Sequence, residues 1–459
     1  MRIRLFGHYW QLGIVLLWLL ESTAIFVSSW LAFRWLGTDA PAVIWLQSLV
    51  LAGCVMVAAI AMGLFSRRLR DRTAGIVLRI GVSVVAGAIL GGLLLYVSPD
   101  HRPTFVEVIA FLAIGLISLT LVRMVGRGFI DEDILKRRVL VYGAGNNAAR
   151  ILQLRRRGDQ RGFKVIGFVP ANNEDRVIPS DRLLIRDSTV SATADDLEID
   201  EIVVAMDDRR QQFPLKELLD CRLAGIEVVE LASFLERETG KVYLDILIPS
   251  WMIFGDGFRR DFIRRYSERA FDILASLSIL LVTLPVMLLT MLAIKLEEGI
   301  RAPVLYGQPR VGYANRIFRV LKFRSMRPDA ESDGRPRWAS ANDDRVTRVG
   351  RFIRKVRIDE LPQLFNVLVG QMSFVGPRPE RPEFVGQLSE SIPYYDVRHA
   401  VKPGITGWAQ LCFPYGASEQ DALEKLQYDL YYVKNHSLVF DVLILLQTVE
   451  VILFNKGAR

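Results

Sequence analysis

Cysteine is scarce in this chain of 459 residues: Cys54, Cys221 and Cys412 are the only three, and they lie far apart. That spacing excludes a disulfide framework and a CxxC-type metal site, and leaves the three as inert packing residues. Nucleic-acid-binding motifs are missing too, and the net charge of +8 is delivered in basic clusters beside apolar runs. Such clusters suit anionic lipid headgroups or phosphorylated substrates better than a nucleic-acid groove. The first apolar run, preceded by Arg2 and Arg4, has no small-residue cleavage signal before the next span, so it is read as an anchor and not as a removable signal peptide.

Apolar residue is what the chain has in abundance. With 51% hydrophobic residues it is too apolar for a simple soluble protein and too long for one ordinary domain. Four stretches open it, Leu12 to Trp35, Ala42 to Phe65, Ile76 to Val97 and Phe105 to Val125. Each is close to the about 20 residues a spanning helix needs. Arg67, Arg68, Arg70, Arg72 and Arg79 crowd between the second and third, and Arg127, Lys136, Arg137 and Arg138 follow the fourth. The positive-inside rule then puts both ends of a four-helix transmembrane bundle, residues 1–132, in the cytoplasm.

From Arg138 the pattern changes to short β-branched runs alternating with helical ones: VLVYGAG (139–145), VIGFV (165–169), EIVVAM (201–206), a helix near 214–224, and IEVVEL (226–231). This predicts a Rossmann-like α/β unit with a parallel sheet over residues 136–240. Gly143 and Gly145 sit between strand and helix, where a dinucleotide fingerprint belongs, but Pro170-Ala171-Asn172 stands where the ribose-binding acid is expected. A structural or regulatory unit and a working cofactor site both stay open, the first preferred.

Residues 241–265 form a linker ending in Arg259, Arg260, Arg264 and Arg265. The apolar run that follows, within 271–295, contains Pro285 near its middle, and a proline inside a helix kinks or breaks it. Basic residues flank both ends, which favours a re-entrant helix-break-helix over a kinked span.

Between Arg301 and Gln410 arginine, proline and glycine are dense. In Asp359-Glu360-Leu361-Pro362 the acids precede Leu364, Phe365 and Leu368 at helical spacing, and Pro362 fits only a first turn, so the acids belong at a helix N-terminus, which favours anions. A carboxylate can attack phosphorus and a second can hold Mg²⁺ against substrate phosphates. Arginine neutralises the transferring group: Arg378, stiffened by Pro377 and Pro379, is the best candidate. For Arg354 and Arg357 a phosphate contact and a basic face on lipid headgroups stay open. The last apolar stretch, Leu438 to Phe454, contains Asp441, Gln447 and Glu450, which favours an interfacial helix.

The run around Pro285, KFRSM (322–326), DDRVTRVGRFIRK (343–355), DELPQLFNVLVGQMSFVGPRPE (359–380) and KPGITGWAQ (402–410) together resemble the catalytic domain of the bacterial sugar transferases, the monotopic polyprenyl-phosphate hexose-1-phosphate transferases. The resemblance covers 266–459, and IPSWMIFGDGF (248–258) is similar to members of the large, exopolysaccharide and PEP-CTERM-linked branch. It implies a mainly α catalytic domain with a re-entrant membrane helix, at a bacterial inner membrane and facing the cytoplasm. It implies Asp359 as nucleophile toward a UDP-hexose, Glu360 as the Mg²⁺-associated acid, Arg378 as a phosphate ligand, undecaprenyl phosphate as acceptor, and a homodimer. Pro403, Gly404 and Trp408 match a loop at the mouth of the substrate pocket. Two departures are Leu284, where relatives often carry a small polar residue, and QMS in place of DMS at 371–373. A dehydratase or epimerase would need a Tyr-x-x-x-Lys pair, but Tyr428 is followed four positions on by Tyr432. A non-catalytic assembly scaffold would have no reason to retain Asp359, Glu360 and Arg378 together.

Overall fold

The computed structural model describes residues 2–5, 8–36, 40–65, 73–97, 102–131, 136–154, 162–171, 174–184, 189–208, 213–247, 262–327, 345–413 and 418–453. The arginines at 67–72, Arg259, Arg260 and the stretch 248–258 lie outside them. The chain divides into two compact units, residues 1–255 with 446–459, and residues 256–445.

In the first unit, helices Leu12–Leu36, Pro41–Ala61, Thr73–Tyr96 and Phe105–Asp131 follow the four apolar stretches. Among the described residues five helices are long and apolar enough to cross a membrane, these four and Arg264–Glu298 of the second unit. The four helices of the first unit share a core of Ile25, Phe33, Val55, Ile80 and Phe111, while their Leu49, Leu93 and Ile117 point outward, as lipid-facing side chains do. A Cβ on Gly87 would lie 2.4 Å from Val55 Cα, so only glycine lets the second and third helices approach this closely. Burying Glu21 and Arg123 among these apolar residues is costly unless they pair, and Arg123 Nη2 donates to Glu21 Oε2 at 2.7 Å.

The α/β unit has a four-stranded parallel sheet in the order Phe163–Val169, Arg137–Tyr142, Glu201–Val204, Glu227–Glu230. Both faces are covered, Val139, Val141 and Phe168 on one side and Leu140, Val204 and Cys221 on the other, which is why the strands read as nearly continuous apolar runs. Arg137 and Glu201, which begin neighbouring strands, pair at 2.6 Å, and Arg237 reaches the same carboxylate at 2.5 Å.

In the second unit, helix Phe262–Glu298 runs on through Pro285 instead of ending there. A proline ring removes the donor for the carbonyl four residues back and clashes with it, which kinks a helix without having to end it. Its C-terminal part packs Met287 and Ile294 on Phe323 and Ile353, while Leu281, Val282, Leu288 and Leu289 are exposed. An antiparallel hairpin, Leu305–Val311 with Ile317–Phe323, comes next. Helices Arg348–Lys355 and Gln363–Val369 follow, then a short parallel pair, Ser373–Val375 with Gly404–Thr406. Helix Glu419–Asn435 follows, and helix Leu438–Leu453 begins in this unit and ends among the residues grouped with the first. On the last of these, Asp441 is buried but accepts from Tyr432 Oη at 2.7 Å.

Candidate active site

The acids stand one turn earlier than the leucine spacing places them. Asp359 and Glu360 lie in a 3-10 turn, Ile358–Glu360, and Pro362 caps the helix Gln363–Val369 behind it. The turn opens at Arg357 with φ +60, a left-handed conformation unusual for a non-glycine residue and one often stored at functional sites. Asn366 ties this helix to the hairpin: its Nδ2 donates to Arg319 O at 2.7 Å and its Oδ1 accepts from Leu321 N–H at 3.0 Å. Gln371, the departure in QMS, accepts from the same Nδ2 at 2.8 Å. Lys322 follows Leu321, and these bonds bring it beside the acids.

Glu360 is ringed by cations. Lys322 Nζ donates to its Oε1 at 3.2 Å, and Arg357 Nη1 and Arg378 Nη2 lie 3.8 and 3.9 Å from the same oxygen. Burial alone would raise its pKa, but Lys322, Arg378 and Arg357 outweigh burial and hold the carboxyl below its ordinary value. Asp359 has the opposite environment. It is 8% exposed and its Oδ1 has no hydrogen-bond partner. Burial, reinforced by the neighbouring Glu360 charge, pushes its pKa up despite Lys322, Arg354 and Arg357. Two adjacent carboxyls therefore have opposed tendencies, one fixed as an anion and one poorly solvated and unengaged.

The remaining expected site residues are distributed as follows. Arg354 Nε donates to Ser325 Oγ of KFRSM at 2.8 Å, so this arginine braces the hairpin beside the acids. The helix that carries it sits so close that a Cβ on Gly350 would lie 2.1 Å from Ser325 O. Pro403 and Arg378 line one small cleft together with His399 and Val311. Gly404 is held tightly against the GPRP loop: its N–H donates to Pro377 O at 3.0 Å. Trp408 is buried, its ring centroid 5.2 Å from that of Phe440, and is not among the residues that line this cleft. Lys322 and Ser325 were legible as part of a motif but not as contacts, since only the hairpin's pairing with the acid-bearing helix brings them in.

The glycine-rich loop of the α/β unit is occupied from within. Glu174 Oε2 accepts from Ala144 N–H at 2.8 Å, and Asp207 accepts from the N–H groups of Asn146 and Asn147 at 2.8 and 2.7 Å. These are amides that a pyrophosphate would use at such a turn. A Cβ on Gly145 would lie 2.3 Å from Asp207 Oδ2, so the glycine makes room for the chain's own carboxylate. Gly143, at φ +129, abuts the Ala205 carbonyl.

An acid pair collared by lysine and arginine, on a chain whose described residues include helices apolar enough for a membrane, is a site suited to phosphate esters at an apolar surface. Residues 263–455 match the family described as Bacterial sugar transferase. Among similar proteins, UDP-N-acetylgalactosamine-undecaprenyl-phosphate N-acetylgalactosaminephosphotransferase of Aeromonas hydrophila is 46% identical over 53% of this chain and 56% of its own length. Undecaprenyl-phosphate glucose phosphotransferase of Komagataeibacter xylinus is 34% identical over 71% of this chain and 60% of its own. UDP-glucose:undecaprenyl-phosphate glucose-1-phosphate transferase of Klebsiella pneumoniae is 34% identical over 70% and 69%. The chain thus spans 56 and 60% of the first two relatives. It belongs to the bacterial sugar transferase family.

Proposed function

We propose that this chain transfers a hexose 1-phosphate from a UDP-sugar to undecaprenyl phosphate, releasing UMP, as the first membrane step of an exopolysaccharide or O-antigen-type glycan. The observation that carries the reading is the buried, unpartnered Asp359 Oδ1 beside a Glu360 held by Lys322, Arg357 and Arg378. The names of the relatives support the donor and acceptor classes.

In this mechanism an Asp359 oxygen attacks the sugar-bearing phosphorus of the diphosphate. The bond from that phosphorus to the bridging oxygen breaks, and UMP leaves with its electron pair. The resulting acyl phosphate carries the sugar until an oxygen of undecaprenyl phosphate attacks the same phosphorus and frees the carboxylate. Desolvation makes Asp359 a better nucleophile once ionised, and Arg378 meets the charge on the phosphoryl oxygens. Glu360, kept anionic by its cations, holds Lys322 and both arginines around the reacting group.

The donor set also fits Mg²⁺. Among the described residues no three acidic, histidine or cysteine side chains converge, but this ion commonly takes only one or two carboxylates and completes its shell with water and substrate phosphates. Glu360, with the Asp359 oxygen that does not attack, would hold it, and bound there it would neutralise diphosphate charge.

Four helices of the first unit would then span the inner membrane, and helix Phe262–Glu298, bent at Pro285, would enter and leave it on the cytoplasmic face. Two copies would associate, as the resemblance to the large branch implies. The α/β unit is structural or regulatory, its glycine-rich loop already engaged by Glu174 and Asp207.

The test is UMP release by purified protein with Mg²⁺, undecaprenyl phosphate and a panel of UDP-hexoses. Release by the native chain and none by Asp359→Asn is expected, and the productive donor identifies the sugar. Undiminished release by the variant would place the nucleophile elsewhere.

A further inference from the structure

Pro377 and Pro379 remove two of the four amide donors from the stretch 377–380, so the loop that presents Arg378 cannot be held by a hydrogen-bond ladder of its own. It is gripped from outside, through its carbonyls. Gly404 N–H donates to Pro377 O at 3.0 Å and Val311 N–H to Glu380 O at 2.9 Å. Arg310 Nη1 donates to Pro379 O at 3.1 Å. The fourth carbonyl, that of Arg378 itself, accepts from Arg398 Nη2 at 3.0 Å.

Arg398 is 6% exposed, and its own direction is fixed by two further groups. Its Nη2 lies 2.8 Å from Asp429 Oδ2, and its Nη1 donates to Tyr395 Oη at 2.6 Å. Asp429, on helix Glu419–Asn435, is 2% exposed. Burying such a pair costs much of what its attraction returns, so stability alone is a poor reason for it. What it supplies is a guanidinium held in one orientation, its Nη2 shared between the aspartate and the backbone of the phosphate-binding arginine and its Nη1 on Tyr395. The pyrrolidine rings fix φ at 377 and 379, and the backbone torsion of Arg378 between them is the freedom that Arg398 removes.

We infer that Asp429 and Arg398 are positioning residues that aim the Arg378 side chain at the acid pair. The inference rests on the role assigned to Arg378 in the proposed transfer reaction. Neither residue touches the acids in the described contacts, whereas Arg378 does, at 3.9 Å from Glu360 Oε1. Three of the four carbonyl anchors survive removal of Arg398, so the loop stays folded while its arginine loses its aim.

A double-mutant cycle on the full chain tests this, using Arg398→Lys and Asp429→Asn, each alone and combined with Arg378→Ala. The assay is UMP release with Mg²⁺, undecaprenyl phosphate and whichever UDP-hexose the native chain accepts, with melting temperature read in parallel. Each single positioning variant is expected to lower kcat/KM about tenfold to a hundredfold, the range a charge-assisted hydrogen bond is worth; Arg398→Lys, which keeps the buried charges paired, should melt near the native temperature, and Asp429→Asn, which leaves Arg398 without its counter-ion, below it but folded. In the Arg378→Ala background the further loss is expected to fall below about threefold, because nothing remains to be aimed. Losses that multiply across the cycle, native rates in both positioning variants, or collapse of the fold in both would overturn the relay while leaving the transfer reading intact. Native activity in Arg378→Ala would overturn the role of Arg378 and the relay with it. A native chain that turns over no donor would overturn both the transfer reading and the relay.

Discussion

Lys322 Nζ lies 3.2 Å from Glu360 Oε1, the shortest of the three cation contacts made by that oxygen. Replacing Lys322 with Met removes the largest influence lowering the Glu360 pKa while keeping the aliphatic stem. UMP release is expected to fall about tenfold to a hundredfold, as when one preorganised charge is removed from a site where charge is transferred. The acid limb of its pH profile should move to higher pH, because Glu360 then ionises less readily. An unchanged profile would separate Lys322 from the acid pair.

The two acids make opposite predictions for stability. Asp359, with its pKa raised, contributes stability below the ordinary aspartate range, and that contribution is lost as pH rises through the raised value. Glu360, with its pKa lowered, contributes stability above the ordinary glutamate range that is lost on acidification. In metal-free buffer near neutral pH, Asp359→Asn should therefore melt at or above the native temperature and Glu360→Gln below it. Thermal melting at pH 7.5 and in the mildly acidic range checks both signs, and the difference between the variants should shrink on acidification.

Gly350 is a steric prediction. An alanine there would press its Cβ to 2.1 Å from the Ser325 carbonyl, backbone that cannot move cheaply. Overpacking of this kind costs about 1–3 kcal/mol. Because Arg354 and Ser325 move with it, Gly350→Ala should lose transfer activity beyond what its lowered stability explains. Retention of native activity at a temperature where the variant is fully folded would disprove the coupling.

In the α/β unit, Asp207 caps two backbone N–H groups at distances of 2.8 and 2.7 Å. Asp207→Ala is expected to destabilise that unit by about 1 kcal/mol, the usual cost of losing an N-terminal cap. Hydrogen exchange at Asn146 and Asn147 gives a local readout, with faster exchange expected in the variant.

Much of the fold was legible because its physics is periodic. The four opening helices and the strands around 139, 165, 201 and 226 follow directly from run length and β-branched composition. The acid pair was legible from its motif, but its collar was not. Lys322 reaches Glu360 only because Asn366 staples two elements some 45 residues apart in sequence. The left-handed Arg357 has no sequence signature, since an arginine is a poor predictor of positive φ. Trp408 looked like a pocket residue because it shares a motif with Pro403, yet aromatic packing on Tyr431 and Phe440 draws its ring inward. The acids of the α/β unit were hidden for a similar reason: Glu174 and Asp207 are distant in sequence and meet only beyond the C-terminal ends of the strands.

The claim on which the mechanism rests is a covalent phosphosugar on Asp359. Intact-mass measurement of the full chain, incubated with Mg²⁺ and the productive UDP-sugar but without undecaprenyl phosphate, tests it most directly. The account predicts an increase equal to one hexose phosphate less one water, located by peptide mapping to Asp359, absent from Asp359→Asn and discharged when undecaprenyl phosphate is added. A native chain that transfers sugar phosphate at full rate while never carrying that mass would contradict it, and would mean that the two phosphates react directly.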